Sequence, residues 1–73
     1  MKARIIAEIL SDIKPLSCMV QISTASGPVT VCRTEEGDDE RLVLAESKGV
    51  LVVHNDDETT YIDTDKIESI KIM

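Results

Sequence analysis

The sequence predicts a small, mainly β domain in which one N-terminal helix precedes five strands that close as a barrel. Three observations carry this. Nine Ile and seven Val dominate a 73-residue chain with no Phe or Trp and with Tyr61 alone among aromatics, a composition that suits half-buried pleated strands. Helical spacing of apolar residues occurs once, over 2–13. The stretch 49–72 divides into short β segments separated by polar turns, and a strand, a hairpin, one tight turn and a closing strand is how small five-stranded barrels end.

In the helix, Ile5, Ile6, Ile9, Leu10 and Ile13 recur at the spacing of one apolar face, Arg4 and Glu8 stand four apart, and Pro15 ends the pattern. The same residues also fit an alternating strand over 3–10, because Ile favours β structure. Residues 16–24 alternate Cys18, Val20 and Ile22 against Met19, Gln21 and Ser23, and 25–28 supply a turn into a returning strand over 29–34. Five acids around Gly37 fill 35–40. A third strand covers 41–46, with Leu42 and Leu44 on one face. The fourth β element covers 50–62, a hairpin whose arms, 50–54 and 59–62, flank the polar cluster 55–58. Residues 63–66 suit a single tight helical turn capped by Asp63 or Thr64, and 67–72 close the fold.

Size and chemistry narrow the function classes. A chain this short buries only about 60% of its unfolded surface and needs a further source of stability. Cys18 and Cys32 each lie in an expected strand with no secretory leader ahead of them, so they are expected as reduced, buried thiols in a cytoplasmic protein. Two Cys and one His fall short of a structural zinc site, and no metal or other cofactor is expected. Self-association remains as the stabilising device. No apolar run approaches the roughly 18 residues that span a bilayer, so no membrane partner is expected. Catalysis is not expected either. His54 is the sole histidine, and no nucleophile-elbow, phosphate-loop or metal-ligand pattern accompanies it.

Charge is unevenly distributed. Residues 1–34 hold four basic and two acidic side chains (net +2), and 35–73 hold four basic and twelve acidic ones (net −8), together −6. The acids crowd into 35–40 and 56–58, where they favour solubility and protect strand edges. Neither run has the ligand alternation of a calcium loop.

A short helix followed by five strands, with a tight turn before the last, resembles the Sm-like proteins, whose SH3-like barrels join through strand pairing into rings that commonly bind RNA around a pore. The family's first motif runs through Asp, two free positions and Met-Asn into an apolar strand. With Leu42 and Leu44 on that strand, Gly37 stands at the Asp, Glu40 at the Met and Arg41 at the Asn. Its second motif places Arg-Gly after an apolar strand, where this chain has His54-Asn55, and the glycine usual in the second strand is missing. The resemblance implies a homo-oligomeric ring that binds single-stranded RNA without catalysis. At its pore Arg41 contributes a planar cation, His54 a stacking ring and Asn55 an amide able to read a base edge. Lys2, Arg4 and Lys14 on the helix form a second candidate contact. The acidic loops support a different class of function: an acidic homo-oligomeric protein-interaction or structural module that meets a basic protein and binds no nucleic acid.

Overall fold

The structure, a computed structural model, describes residues 1–14, 18–33, 41–55 and 57–73. Helix α1 (Ala3–Ile13) is followed by six strands: β1 (Cys18–Thr24), β2 (Gly27–Arg33), β3 (Leu42–Ala45), β4 (Val50–Asn55), β5 (Glu58–Asp63) and β6 (Ile67–Ile72). Single 3-10 turns, Glu46–Lys48 and Thr64–Lys66, precede β4 and β6. The strands form two three-stranded antiparallel sheets, in the orders β2-β1-β6 and β3-β4-β5. This corrects the expectation of five strands closed as one barrel. Asn55 pairs directly with Glu58, so the expected fourth element is two antiparallel strands, and among the described residues no ladder joins one sheet to the other.

The helix at 3–13 also settles the sequence's own ambiguity. A strand over 3–10 would set Glu8 between Ile6 and Leu10 on one face. The helix instead brings Ile6 and Ile13 into the core, with Leu10 packed against it, and leaves Glu8 exposed. The expected stripe was wider than the buried one, since Ile5 stays 43% exposed. No acid lies in the first turn and no base in the last, which leaves Lys14 at the C-cap as the one favourable charge at the helix ends among the described residues. Packing against β3 and the turn at 46–48 therefore holds the helix more than its own propensity does.

Alternation decides the faces of the strands. Val20 and Ile22 of β1, Val31 of β2, Leu42 of β3, Leu51 and Val53 of β4, Ile62 of β5 and Ile67 of β6 are buried, and with Ile6 and Ile13 they make one core. Cys18 is half-buried beside it, whereas Cys32, opposite Met19 on the outward face, is exposed. Both thiols are free. The expectation that both are buried therefore fails for Cys32, because its strand register turns it away from Val31. The β1–β2 turn is tighter than the four residues expected. Thr24 pairs with Gly27 across Ala25-Ser26, and the Thr24 hydroxyl donates to the Gly27 carbonyl (2.8 Å) while accepting from the Ser26 N–H (3.2 Å).

Three bends meet at one end of the molecule. The Met1 amino group donates to the carbonyls of Thr64 (2.8 Å) and Ile67 (2.9 Å), fixing the helix start on the second 3-10 turn. The Asp63 carboxylate caps that turn by accepting from the Asp65 N–H, and the Thr64 N–H donates to the Gly49 carbonyl at 2.9 Å. Gly49 itself closes the first 3-10 turn through its N–H to Glu46 and sits at φ 65°, ψ 36°. That left-handed conformation costs an L-residue about 1–2 kcal/mol. A Cβ at Gly49 would meet the Thr64 hydroxyl at 3.5 Å, an ordinary contact. Gly49→Ala is thus expected to lower unfolding free energy by about 1–2 kcal/mol, and Gly49→Asn by less, because Asn tolerates this region. Urea denaturation followed by circular dichroism measures both; equal stability of Gly49→Ala and the parent would contradict the left-handed turn.

Candidate nucleic-acid interface

The sequence-predicted residues Arg41, His54 and Asn55 lie at one end of the second sheet. Beyond the Leu42–Val53 pair, the His54 N–H donates to the Arg41 carbonyl at 2.9 Å, which extends the β3–β4 ladder by one rung. Leu42 and Val53 face the core, so Arg41 and His54, one position further along each strand, face outward. Across β4 and β5, His54 stands opposite Thr59, and its Nδ1 lies 3.1 Å from the Thr59 hydroxyl. Arg41, His54 and Thr59 form one cross-strand row. Arg41 is half-buried; His54 and Thr59 are exposed.

The trio does not share one face. Asn55 follows His54 in the strand, alternates to the opposite side, is half-buried and stands opposite Glu58. What the outward face offers in its place is the next row, Val43, Val52 and Tyr61. Val43 is 44% exposed and Tyr61 72%. Tyr61 lies diagonally from His54, at the spacing of about 7–8 Å that long and aromatic side chains bridge. Sequence reasoning used Tyr61 only as a marker of β structure. Its alternation with Ile62, which belongs inside, was the signal that the phenol faces solvent.

The face therefore combines a guanidinium, an imidazole and a phenol, three planar groups of the kind on which unpaired bases stack. Asp57 and Glu58, at the β4–β5 turn, are exposed close by and oppose a polyanion. The neighbouring acids at 38–40 and Asp56 lie outside the described residues. On the helix, Lys2 is the N-cap and Lys14 the C-cap, and the 11-residue helix between them spans about 16 Å at 1.5 Å per residue. Arg4 shares the exposed side with Glu8, Ser11 and Asp12. The helix thus carries no continuous basic stripe.

A cleft of about 390 Å³ lies elsewhere, lined by the β1–β2 turn (24–29), residues 60–63 of β5 and Lys66. Consecutive residues of a strand point to opposite faces, so a cleft lined by all of 60–63 runs along the edge of β5. Among the described residues no three His, Cys, Asp or Glu side chains gather to hold a metal ion, and no helix is long and apolar enough to cross a membrane. Compared with known proteins, the chain matches no family model, no curated protein and no solved structure.

Proposed function

We propose that the chain is a self-assembling, non-catalytic domain of Sm-like, SH3-like type that binds single-stranded nucleic acid, RNA foremost, on the outward face of its second sheet. The observation that carries the assembly is the pair of one-sided strands flanking the Thr64–Lys66 turn. Among the described residues, β5 pairs only with β4 and β6 only with β1. Each has a free edge, and the cleft along β5 leaves room for an added strand. Pairing β5 of one copy with β6 of the next is a heterologous contact, the kind that closes rings.

The nucleic-acid part rests on the row Arg41–His54 beside Tyr61, with Asn55 at the same strand end. A single copy offers few contacts against a net charge of −6. Repetition around a ring multiplies them, because each further contact is intramolecular once the first has formed. The direct test is fluorescence anisotropy of a labelled oligouridine at low and at physiological salt. Binding is expected to weaken with salt. The double variant Arg41→Ala, His54→Ala is expected to lose about tenfold or more in affinity, since one stacked base is worth about 1–3 kcal/mol. Unchanged affinity in that variant sinks the site.

The net charge favours a second reading, an acidic interaction or structural module whose carboxylates meet a basic protein. An assembled protein with no RNA affinity even at low salt, and a charge-dependent protein partner, would select it.

A further inference from the structure

The outward face of the first sheet carries a row made only of sulfur side chains. Met19 of β1 stands opposite Cys32 of β2, and on its other side opposite Met73, which continues the line of β6. Met19 and Met73 exchange both backbone hydrogen bonds, Met73 N–H to Met19 carbonyl at 2.8 Å and Met19 N–H to Met73 carbonyl at 3.3 Å. Directly opposed residues of an antiparallel ladder share a face, so all three side chains project together, away from the core that holds Val20 and Val31. Because Met19 directs its own N–H and C=O toward β6, its pairing with Cys32 is of the non-hydrogen-bonded kind. In such pairs the Cα atoms approach to about 4.5 Å and the side chains are closest.

All three are open to solvent: Met19 is 42% exposed, Met73 55%, and Cys32 is exposed. The chain holds two Cys and three Met, so three of its five sulfur atoms fall in this one row. That concentration, on a surface where an apolar side chain gains nothing from burial, is what asks for a ligand. The adjoining row, Thr30, Gln21 and Lys71, contains no carboxylate or imidazole.

We infer that Cys32, Met19 and Met73 form a binding site for a soft monovalent metal ion, Cu(I). Thiolate and thioether donors select such an ion over hard cations, which prefer oxygen. Strand spacing places the outer two Cα atoms about 10 Å apart, and the long unbranched methionine side chains have the freedom to close that gap over the Cys32 sulfur. On binding, the Cys32 thiol releases its proton to solvent and the sulfur becomes the anionic ligand; the two thioethers complete a three-sulfur set without any change of oxidation state. Cys18 takes no part, since its half-buried side chain packs against the core.

The test is an anaerobic titration of the whole chain with Cu(I) in competition with a chromophoric Cu(I) chelator, with methionine methyl resonances followed by NMR. One ion per chain is expected, with the methyl signals of Met19 and Met73 shifting and that of Met1 unmoved. Loss of an outer-shell partner already costs about 10–100-fold in metal affinity, so Cys32→Ser is expected to cost about 100-fold or more and Met19→Leu or Met73→Leu about tenfold each. Met→Leu conserves volume and both sites are exposed, so these variants should keep the fold. Cys18→Ser should bind as the parent does. Failure of the parent to compete with the chelator overturns the site. So does equal affinity in the double variant Met19→Leu, Met73→Leu, which would reveal an exposed thiol only.

Discussion

Leu51→Ala is expected to lower the unfolding free energy by about 2–5 kcal/mol, a large share of what a domain of this size has. Leu51 is fully buried in β4, the central strand of the second sheet, and its cross-strand neighbours Leu44 and Ile62 line the same inward row. Truncating a buried Leu costs about 2–5 kcal/mol, the transfer of the lost methyls plus the cavity they leave. A domain of this size has about 4–11 kcal/mol of stability in all. The helix and the other sheet converge on this core, so little remains to collapse into the space. Val43→Ala in the neighbouring strand is the contrast: its side chain is 44% exposed, and a change within about 0.5 kcal/mol is expected. Urea denaturation of both variants decides the matter. A loss below about 1 kcal/mol for Leu51→Ala would mean that this side chain is not at the centre of the core.

The second large effect concerns assembly. The His54 N–H points to β3, so that of Val53 points to β5, and Thr60, opposite Val53, directs its own N–H and C=O back to β4. The Thr64 N–H bond to the Gly49 carbonyl has the same parity. Thr59, Tyr61 and Asp63 therefore turn their backbone groups toward the free edge. Tyr61→Pro removes an edge donor without breaking a β4–β5 hydrogen bond, and proline is tolerated on such an edge. The expected result is complete loss of the assembly with the circular dichroism of the fold retained, read as mass by light scattering across a dilution series. Thr60→Pro, one residue away, deletes a ladder hydrogen bond and is expected to disrupt the fold instead. A Tyr61→Pro protein that assembles like the parent, or a parent that is monomeric at every concentration, removes β5 as the seam.

The elements were legible in the sequence where side-chain periodicity and turn chemistry agreed. The helix is found within a residue of its expected bounds, β6 lies where Ile67, Ile70 and Ile72 placed it, and Asp63 caps the turn before it. The start of β2 was missed because Gly27-Pro28 reads as turn, whereas in the structure Pro28 is already a strand residue opposite Ser23. The 3-10 turn at 46–48 was hidden for a related reason: Glu46 and Ser47 suit either a strand end or a turn, and Gly49 decides the matter through its backbone conformation. The candidate site was legible in part. The motif positions of the Sm-like resemblance grouped Arg41, His54 and Asn55, but the parity of a strand's last residue depends on its cross-strand pairing. That parity separates Asn55 from His54 and brings Tyr61 beside it. Sulfur rows are hidden in the same way, since Met19, Cys32 and Met73 become neighbours only through two registers at once.

The pairing of β1 with β6, together with the Met1 amino group held at Thr64 and Ile67, also orders events in time. The helix and β1 leave a ribosome well before residues 64–72, which are their partners. Until residues 64–72 are free, β1 lacks one of its two neighbours and the helix start has no dock, so Ile6 and Ile13 must wait with their apolar surface in water. Contacts of such long sequence separation make for folding in milliseconds to seconds rather than microseconds. During that interval the nascent chain has the exposed apolar surface that chaperones bind.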